Sequence, residues 1–395
     1  MKNGWETKKL GEVCSFLNRG VSPKYIEAGG IFVLNQRCVR DHRVSFVVAR
    51  RHDVKAKKVS TERLIQPGDV LVNSTGNGTL GRVAQIRDAL PEPTTVDSHV
   101  TIVRPIPGLF FQDFFGYMLR EIEDALKVSG EGCGGQTELG RSVLAERFSV
   151  RFPKSLPEQR RIVGILDEAF AGIATAKANA EKNLQNARAL FESHLQAVFT
   201  QRGEGWVETT LGEVCEFIGG SQPPKSVFSK AKSVDNIRLI QIRDYKSDNH
   251  VVYIPRAQAR RFCNADDVMI GRYGPPLFQI LRGLEGAYNV ALMKAVADEK
   301  KLSRDFLFYF LKHSTILQYI IYHSARAAGQ IGITKETLEP YPIALPCQPD
   351  QKKVVDTIKE LESETQRLES LYQRKLAALD ELKKSLLHRA FSGEL

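Results

Sequence analysis

The sequence is short of everything that marks a membrane protein, a disulfide scaffold or a self-sufficient enzyme. No apolar run approaches the roughly 20 residues that span a bilayer. The opening stretch MKNGWETKKLGEV lacks the apolar core of a signal peptide, so a cytoplasmic protein is expected. Six cysteines, at 14, 38, 133, 215, 263 and 347, form no Cys-x-x-Cys pair. That spacing excludes the common metal-ligand patterns and argues against a disulfide framework. Cys14 and Cys215 each follow an apolar Val and read as small core residues. There is no His/Cys cluster and no G-x-S-x-G. There is also no Asn-Pro-Pro-aromatic tetrad of the kind that amino-methyltransferases use to hold a flipped base. Pro223-Pro224 and Pro275-Pro276 lack both the preceding Asn or Asp and the aromatic that should come next. His99, His194, His313 and His388 share no spacing and read as structural or surface residues.

One motif imitates a cofactor site. Gly76-Asn77-Gly78-Thr79-Leu80-Gly81 spells G-x-G-x-x-G after an apolar strand. A dinucleotide fingerprint needs a helix directly behind it, whose N-terminus holds the phosphate. The next residues, Arg82-Val83-Ala84-Gln85-Ile86-Arg87, read as a returning strand, so the glycines are expected to form a hairpin turn. The second half lacks these glycines at the matching place.

The chain does contain a stretch that occurs twice. PEQRRIVGILDEAF begins at Pro157 and PDQKKVVDTIKELE at Pro349, and the copies run without a gap to Gln201 and to the end of the chain. Gln159 matches Gln351, Val163 matches Val355, Leu195 matches Leu387 and Phe199 matches Phe391. Pro near the first turn and an acidic residue beside it suit a helix N-terminus. Apolar or small residues recur at 3-4 spacing: Ile162, Leu166, Ala169, Ile173, Ala176, Ala180, Ala187 and Leu190. The second copy has Val354, Ile358, Leu361, Thr365, Leu368, Tyr372, Leu379, Leu382 and Leu386. Sustained heptads predict coiled-coil helices of about 65 Å, at roughly 1.5 Å per residue. The natural cover for each seam is the other copy.

The globular stretches repeat as well. Leu10-Gly11-Glu12-Val13-Cys14 returns as Leu211-Gly212-Glu213-Val214-Cys215. Short strands alternate with Gly- and Pro-marked loops. Helical segments are expected near Gln112–Lys127 and Arg304–Ser324, so each half reads as α+β. The expected divisions are 1–156, 157–201, 202–348 and 349–395. The net charge of +10 avoids the helices: residues 158–201 carry five basic and five acidic side chains, and 350–395 carry nine of each. The excess is +6 over residues 1–157 and +4 over 202–349. Two basic units beside neutral rods suggest two contacts on a polyanion. A moderately basic protein with no such partner is the alternative that charge alone leaves open.

Leu-Gly-Glu-Val near each start, Pro-Glu-Gln-Arg-Arg-Ile-Val-Gly-Ile-Leu-Asp entering the first rod, and the closing Ala-Phe-Ser-Gly-Glu-Leu resemble the specificity subunits of type I restriction-modification systems. The resemblance covers essentially the whole chain. It implies two α+β target-recognition domains, each reading half of a bipartite double-stranded DNA site. It implies that the two long helices pair as an antiparallel coiled coil and set the distance between those domains. Two methylation subunits would dock and bring S-adenosylmethionine. Restriction subunits would add the nuclease dependent on ATP and Mg2+. The chain itself would be non-catalytic, bind no cofactor and touch no membrane.

DNA-contacting candidates come from loop chemistry. They are Lys24, Asn73, Ser74, Thr75, Asn77 and Gln136 in the first half, and Gln222, Lys225, Arg272, Tyr273 and Gln330 in the second. Arg suits guanine, Asn or Gln suits adenine, and Lys suits phosphate. For any one of them the alternative is a solvated loop residue. A self-contained DNA methyltransferase fits poorly, since both the cofactor loop and the tetrad are missing. A purely structural coiled-coil scaffold would leave two basic units idle.

Overall fold

The computed structural model describes residues 4–130, 138–201, 203–324 and 332–395. Contacts divide the chain into Met1–Ala180 with Arg374–Leu395, and Glu181–Gln373. Each unit is built on a strand buried on both faces, Val70–Asn73 in the first and Val268–Gly271 in the second. Period-2 alternation explains the double burial. In the first unit Val70 and Val72 join the core under the helices, and Leu71 joins the core under a second sheet. In the other unit Val268 and Ile270 face one core and Met269 the opposite one.

The central sheets have the same strand order and are antiparallel throughout. In the first unit the order is Cys14–Arg19, Val100–Pro105, Val70–Asn73, Val83–Gln85. In the second it is Cys215–Gly219, Leu292–Ala297, Val268–Gly271, Gln279–Leu281. A smaller mixed sheet lies against each. Its parallel pair is Ile31–Leu34 with Thr94–Val96 in one unit and Asn236–Ile240 with Gly286–Tyr288 in the other. The chain leaves the central sheet at Gly20 or Gly220. A Cβ on Gly20 would lie 1.8 Å from the Val96 carbonyl oxygen, and one on Gly220 1.9 Å from that of Asn289. Only glycine permits these approaches. The G-x-G-x-x-G stretch is the expected hairpin: Val83–Gln85 returns antiparallel to Val70–Asn73, and Gly76, Gly78 and Gly81 have positive φ. Cys215 is buried and Cys14 partly so, and burial pushes both thiols up to about 12.

Both long helices are continuous, Leu156–Thr200 and Gln348–Ser392, each of 45 residues. They pair antiparallel: Lys177 bonds Asp380 at 2.6 Å in the first unit and Arg188 bonds Glu369 at 2.8 Å in the second. Ile173, Ala180, Ala187 and Thr365 are buried in the seam as expected. The heptad reading fails at one equivalent pair of positions. Leu190 is 64% exposed and Leu382 46%. After Ala187 the seam steps four residues to half-buried Phe191, and after Leu379 it steps to half-buried Lys383. The Lys383 ammonium lies 5.3 Å from the Phe170 ring centroid. Each core takes in the end of a long helix. Phe391 packs on Phe114 in the first unit, and Phe199 on Phe306 and Phe310 in the second.

A buried glutamine fixes the start of each long helix. Gln159 accepts from the Phe111 amide at 2.7 Å and donates to the Leu109 and Pro153 carbonyls. Gln351 accepts from the Ser303 amide at 2.8 Å and donates to the Lys301 and Pro346 carbonyls. Phe111 and Ser303 are the N-cap residues of the Gln112–Glu121 and Arg304–Lys312 helices. One side chain therefore joins the long helix, the last strand of the unit and the shorter helix.

Replacing Gln159 by Met keeps the bulk and strands three buried groups that each cost about 1–3 kcal/mol, so a loss of about 3–9 kcal/mol is expected. Amide exchange should localise the damage: Phe111 loses protection in Gln159→Met and Ser303 in Gln351→Met. Equal effects at both amides in either variant would show that the clamps do not act unit by unit.

Candidate nucleic-acid interface

Four of the sequence candidates are solvent-exposed: Lys24, Asn77, Gln222 and Lys225. Thr75 is half-buried, its Oγ1 2.7 Å from His99 Nδ1. Two candidates fail outright. Asn73 and Ser74 are fully buried; the Asn73 amide donates to the Gln36 carbonyl, and Ser74 Oγ shares a hydrogen bond with Thr101 Oγ1. Asn73 ends the double-buried strand and Ser74 follows it directly, so neither reaches a base. Arg272 and Tyr273 are half-buried and already engaged. Arg272 Nε donates to the Ile333 carbonyl at 2.8 Å, and a Cβ on Gly332 would strike the Tyr273 ring at 2.5 Å. One donor of the Arg272 guanidinium, Nε, is thus committed to its own backbone, and Nη1 makes a long contact of 3.4 Å with the Val290 carbonyl. Gln136 and Gln330 lie outside the described residues.

The positive charge has a sharper location than the loops proposed from sequence. Residues 20–60 contain nine basic and three acidic side chains, and residues 222–262 contain nine and three again. Each stretch nets +6, so together they exceed the whole chain's +10. Both build the smaller sheet of their unit and the turns around it. Lys24, Arg37, Arg40, Arg43, Lys55 and Lys58 are exposed, and among the described residues no carboxylate pairs with them. The same holds for Lys225, Lys230, Lys232, Arg243, Lys246, Arg256, Arg260 and Arg261. Lys230, Arg243 and His250 line an open pocket of about 570 Å³, with Arg238 held in its wall by Asp248 at 2.8 Å. A charge count over windows of some forty residues, rather than over whole halves, would have found both stretches.

Buried polar groups hold these cations in place. His52 is fully buried; its Nδ1 accepts from the Lys24 amide at 2.9 Å and its Nε2 lies 2.8 Å from the Lys57 carbonyl. That pattern requires the neutral ring protonated on Nε2. One side chain thus pins two cationic loops. A turn at Asp41-His42, both with positive φ, joins strands Val39–Arg40 and Arg43–Val44. His42 anchors the turn by bonding Glu123 at 3.0 Å, and Lys127 meets the same carboxylate at 2.6 Å. Burial alone would raise the Glu123 pKa, but hydrogen bonds from His42 and Lys127 outweigh it and hold the carboxyl at about 2.

The model of the type I restriction modification DNA specificity domain matches residues 2–185 and again residues 203–376. The chain belongs to this family. It is a type I restriction-modification specificity subunit with two target-recognition domains. The specificity subunit of the Salmonella potsdam type I restriction enzyme StySPI is 20% identical over 429 aligned residues, covering all of this chain and 90% of that protein. A solved chain from work on complex assembly and conformational transition of a type I restriction-modification system superposes with a TM-score of 0.80 at 19% identity. That match covers all of this chain and 99% of the other. The HsdS subunit from Thermoanaerobacter tengcongensis gives 0.62 at 20% identity, over all of this chain and 98% of that one. These likenesses bear out the α+β fold with paired long helices. In the specificity subunit the family model spans both cationic stretches, one in each match. Among the described residues no helix is long and apolar enough to cross a membrane.

The Glu123 anchor predicts an acid-sensitive first unit. Its folded pKa lies below the usual 4.5, so its stabilisation is complete above about pH 4.5 and fades as pH falls towards about 2. The stability difference between wild type and Glu123→Gln, from urea midpoints, should shrink over that interval. A difference independent of pH would contradict the anchor.

Proposed function

We propose that each unit reads one half of a bipartite duplex site, with the smaller-sheet stretch seated on the phosphates. The matching +6 of residues 20–60 and 222–262 is the observation that carries this reading. Free cations on the turns around two separate sheets release counterions from two DNA segments, which supplies affinity without sequence preference. The open pocket lined by Lys230, Arg243 and His250 offers cationic side chains to a backbone phosphate. Base discrimination then falls to the few exposed residues of fixed geometry, since phosphate contacts set register only.

The catalytic work belongs to partners on this reading. Methylation subunits bind the specificity subunit and supply S-adenosylmethionine, and restriction subunits bring ATP and Mg2+. The specificity subunit contributes no reacting group. The neutral long helices, with five charges of each sign in residues 158–201 and nine of each in 350–395, suit protein partners better than DNA. The assembly would act in the cytoplasm, where the host chromosome is methylated.

Two measurements test this. Exchanging residues 1–155 for those of a relative should alter one half of the methylated motif and leave the other intact; a change in both halves would refute independent reading. Lys225→Ala, assayed with the methylation subunits, should weaken binding to all sequences about equally and reduce the salt slope by about one. A loss confined to the cognate site would mean that Lys225 reads a base instead.

A further inference from the structure

The cationic stretch of the first unit accounts for phosphate binding and leaves open how one base is told from another. A base reader must be exposed and free of a carboxylate or backbone partner, and it gains most when its geometry is set before binding. Few of the nine basic residues in 20–60 qualify. Arg51 is bound to Glu92 through two hydrogen bonds, at 2.7 and 3.2 Å. Lys57 donates to the Ser22 carbonyl at 2.9 Å. The remaining lysines are flexible point charges, suited to phosphate rather than to a two-pronged base edge. Arg37, Arg40 and Arg43 are exposed, and among the described residues no ring holds their guanidinium groups.

Arg51 also lies over a ring, Phe32 at 4.2 Å, but Glu92 holds it; Arg50 combines a stacked guanidinium with the absence of a carboxylate partner among the described residues. Its guanidinium carbon sits 3.3 Å from the centroid of the Tyr25 ring. Both residues are exposed, Tyr25 at 41%, and among the described residues no carboxylate pairs with Arg50. The two strands that carry them are paired antiparallel, Tyr25 opposite His52 and Ile26 opposite Arg51. His52 is the buried ring that pins the Lys24 amide and the Lys57 carbonyl, so the backbone under the stack is fixed from both sides. A stacked guanidinium has lost rotamer freedom before any ligand arrives. Its planar fork still presents N–H donors at the spacing of guanine O6 and N7.

Resting on the reading of this unit as a DNA reader, we propose that Arg50 determines a guanine in the first half-site, with Tyr25 as its positioning residue. Arg50 donates two hydrogen bonds to one base edge in the major groove, while Lys24, Lys55 and Lys58 hold the flanking phosphates. Tyr25 touches no base on this account; it sets the plane of the fork.

The test is methylation of a randomised DNA library by the specificity subunit complexed with its methylation subunits. Arg50→Ala should relax one guanine position in one half-site by roughly tenfold or more, and leave every position of the other half-site unchanged. Tyr25→Leu should relax the same position to a smaller degree. Arg50→Lys keeps the charge without the fork and should not restore the preference; it also decides the matter if Arg50→Ala proves inactive. An intact motif in Arg50→Ala, a uniform loss on all sequences, or full rescue by Arg50→Lys would each overturn the assignment. A wild-type complex without any sequence preference would instead refute the DNA-reading function itself, an outcome distinct from all of these.

Discussion

Two buried amides carry the connection between recognition and scaffold. Gln159 and Gln351 each use one acceptor and two donor bonds, and each ties a long helix to a strand end and to the cap of a shorter helix. The chemistry leaves little choice of residue. Glutamate would place a carboxylate against two carbonyl oxygens, and an aliphatic side chain would strand three polar groups in the core. Asparagine is one methylene shorter than the span. The repeated PEQ and PDQ phrases therefore mark a hydrogen-bonded joint as well as the start of a helix.

Outward from that joint, each unit is layered by polarity. The helix layer and the inner face of the central sheet share one apolar core, which the helix-end phenylalanines Phe391 and Phe199 complete. The other face of the central sheet is also buried, beneath the smaller sheet. With both faces of its central strand consumed by packing, the sheet leaves only parts of its other strands open to a ligand. Charge is left to the outermost layer, where unpaired arginines and lysines remain hydrated. That separation lets neutral helices and cationic turns coexist in one chain without desolvating either.

The same layering explains which candidate residues failed. Asn73 and Ser74 look like loop residues because Gly76 and Gly78 come close behind them, yet they end a strand whose neighbours on both faces are core. Arg272 looks like a guanine reader, and one of its donors also serves the backbone at Ile333. A polar residue at a strand end answers first to buried carbonyls and amides beside it, and the sequence does not show those neighbours.

The sequence by itself determined the duplication, the two long helices, the α+β character of each half and the family, because these depend on local periodicity and on phrases repeated along the chain. Even the hairpin hidden in a G-x-G-x-x-G pattern was legible, since the residues directly behind it have strand rather than helix character. Only the tertiary structure decided which polar side chains face solvent. The one-residue drift of the seam at Leu190 and Leu382 depends on how two helices meet. The stack of Arg50 on Tyr25 depends on the pairing of two short strands, and the burial of His52 on the loops that close over it. Each of these is a contact between residues well apart in the chain, fixed by packing that no local pattern encodes.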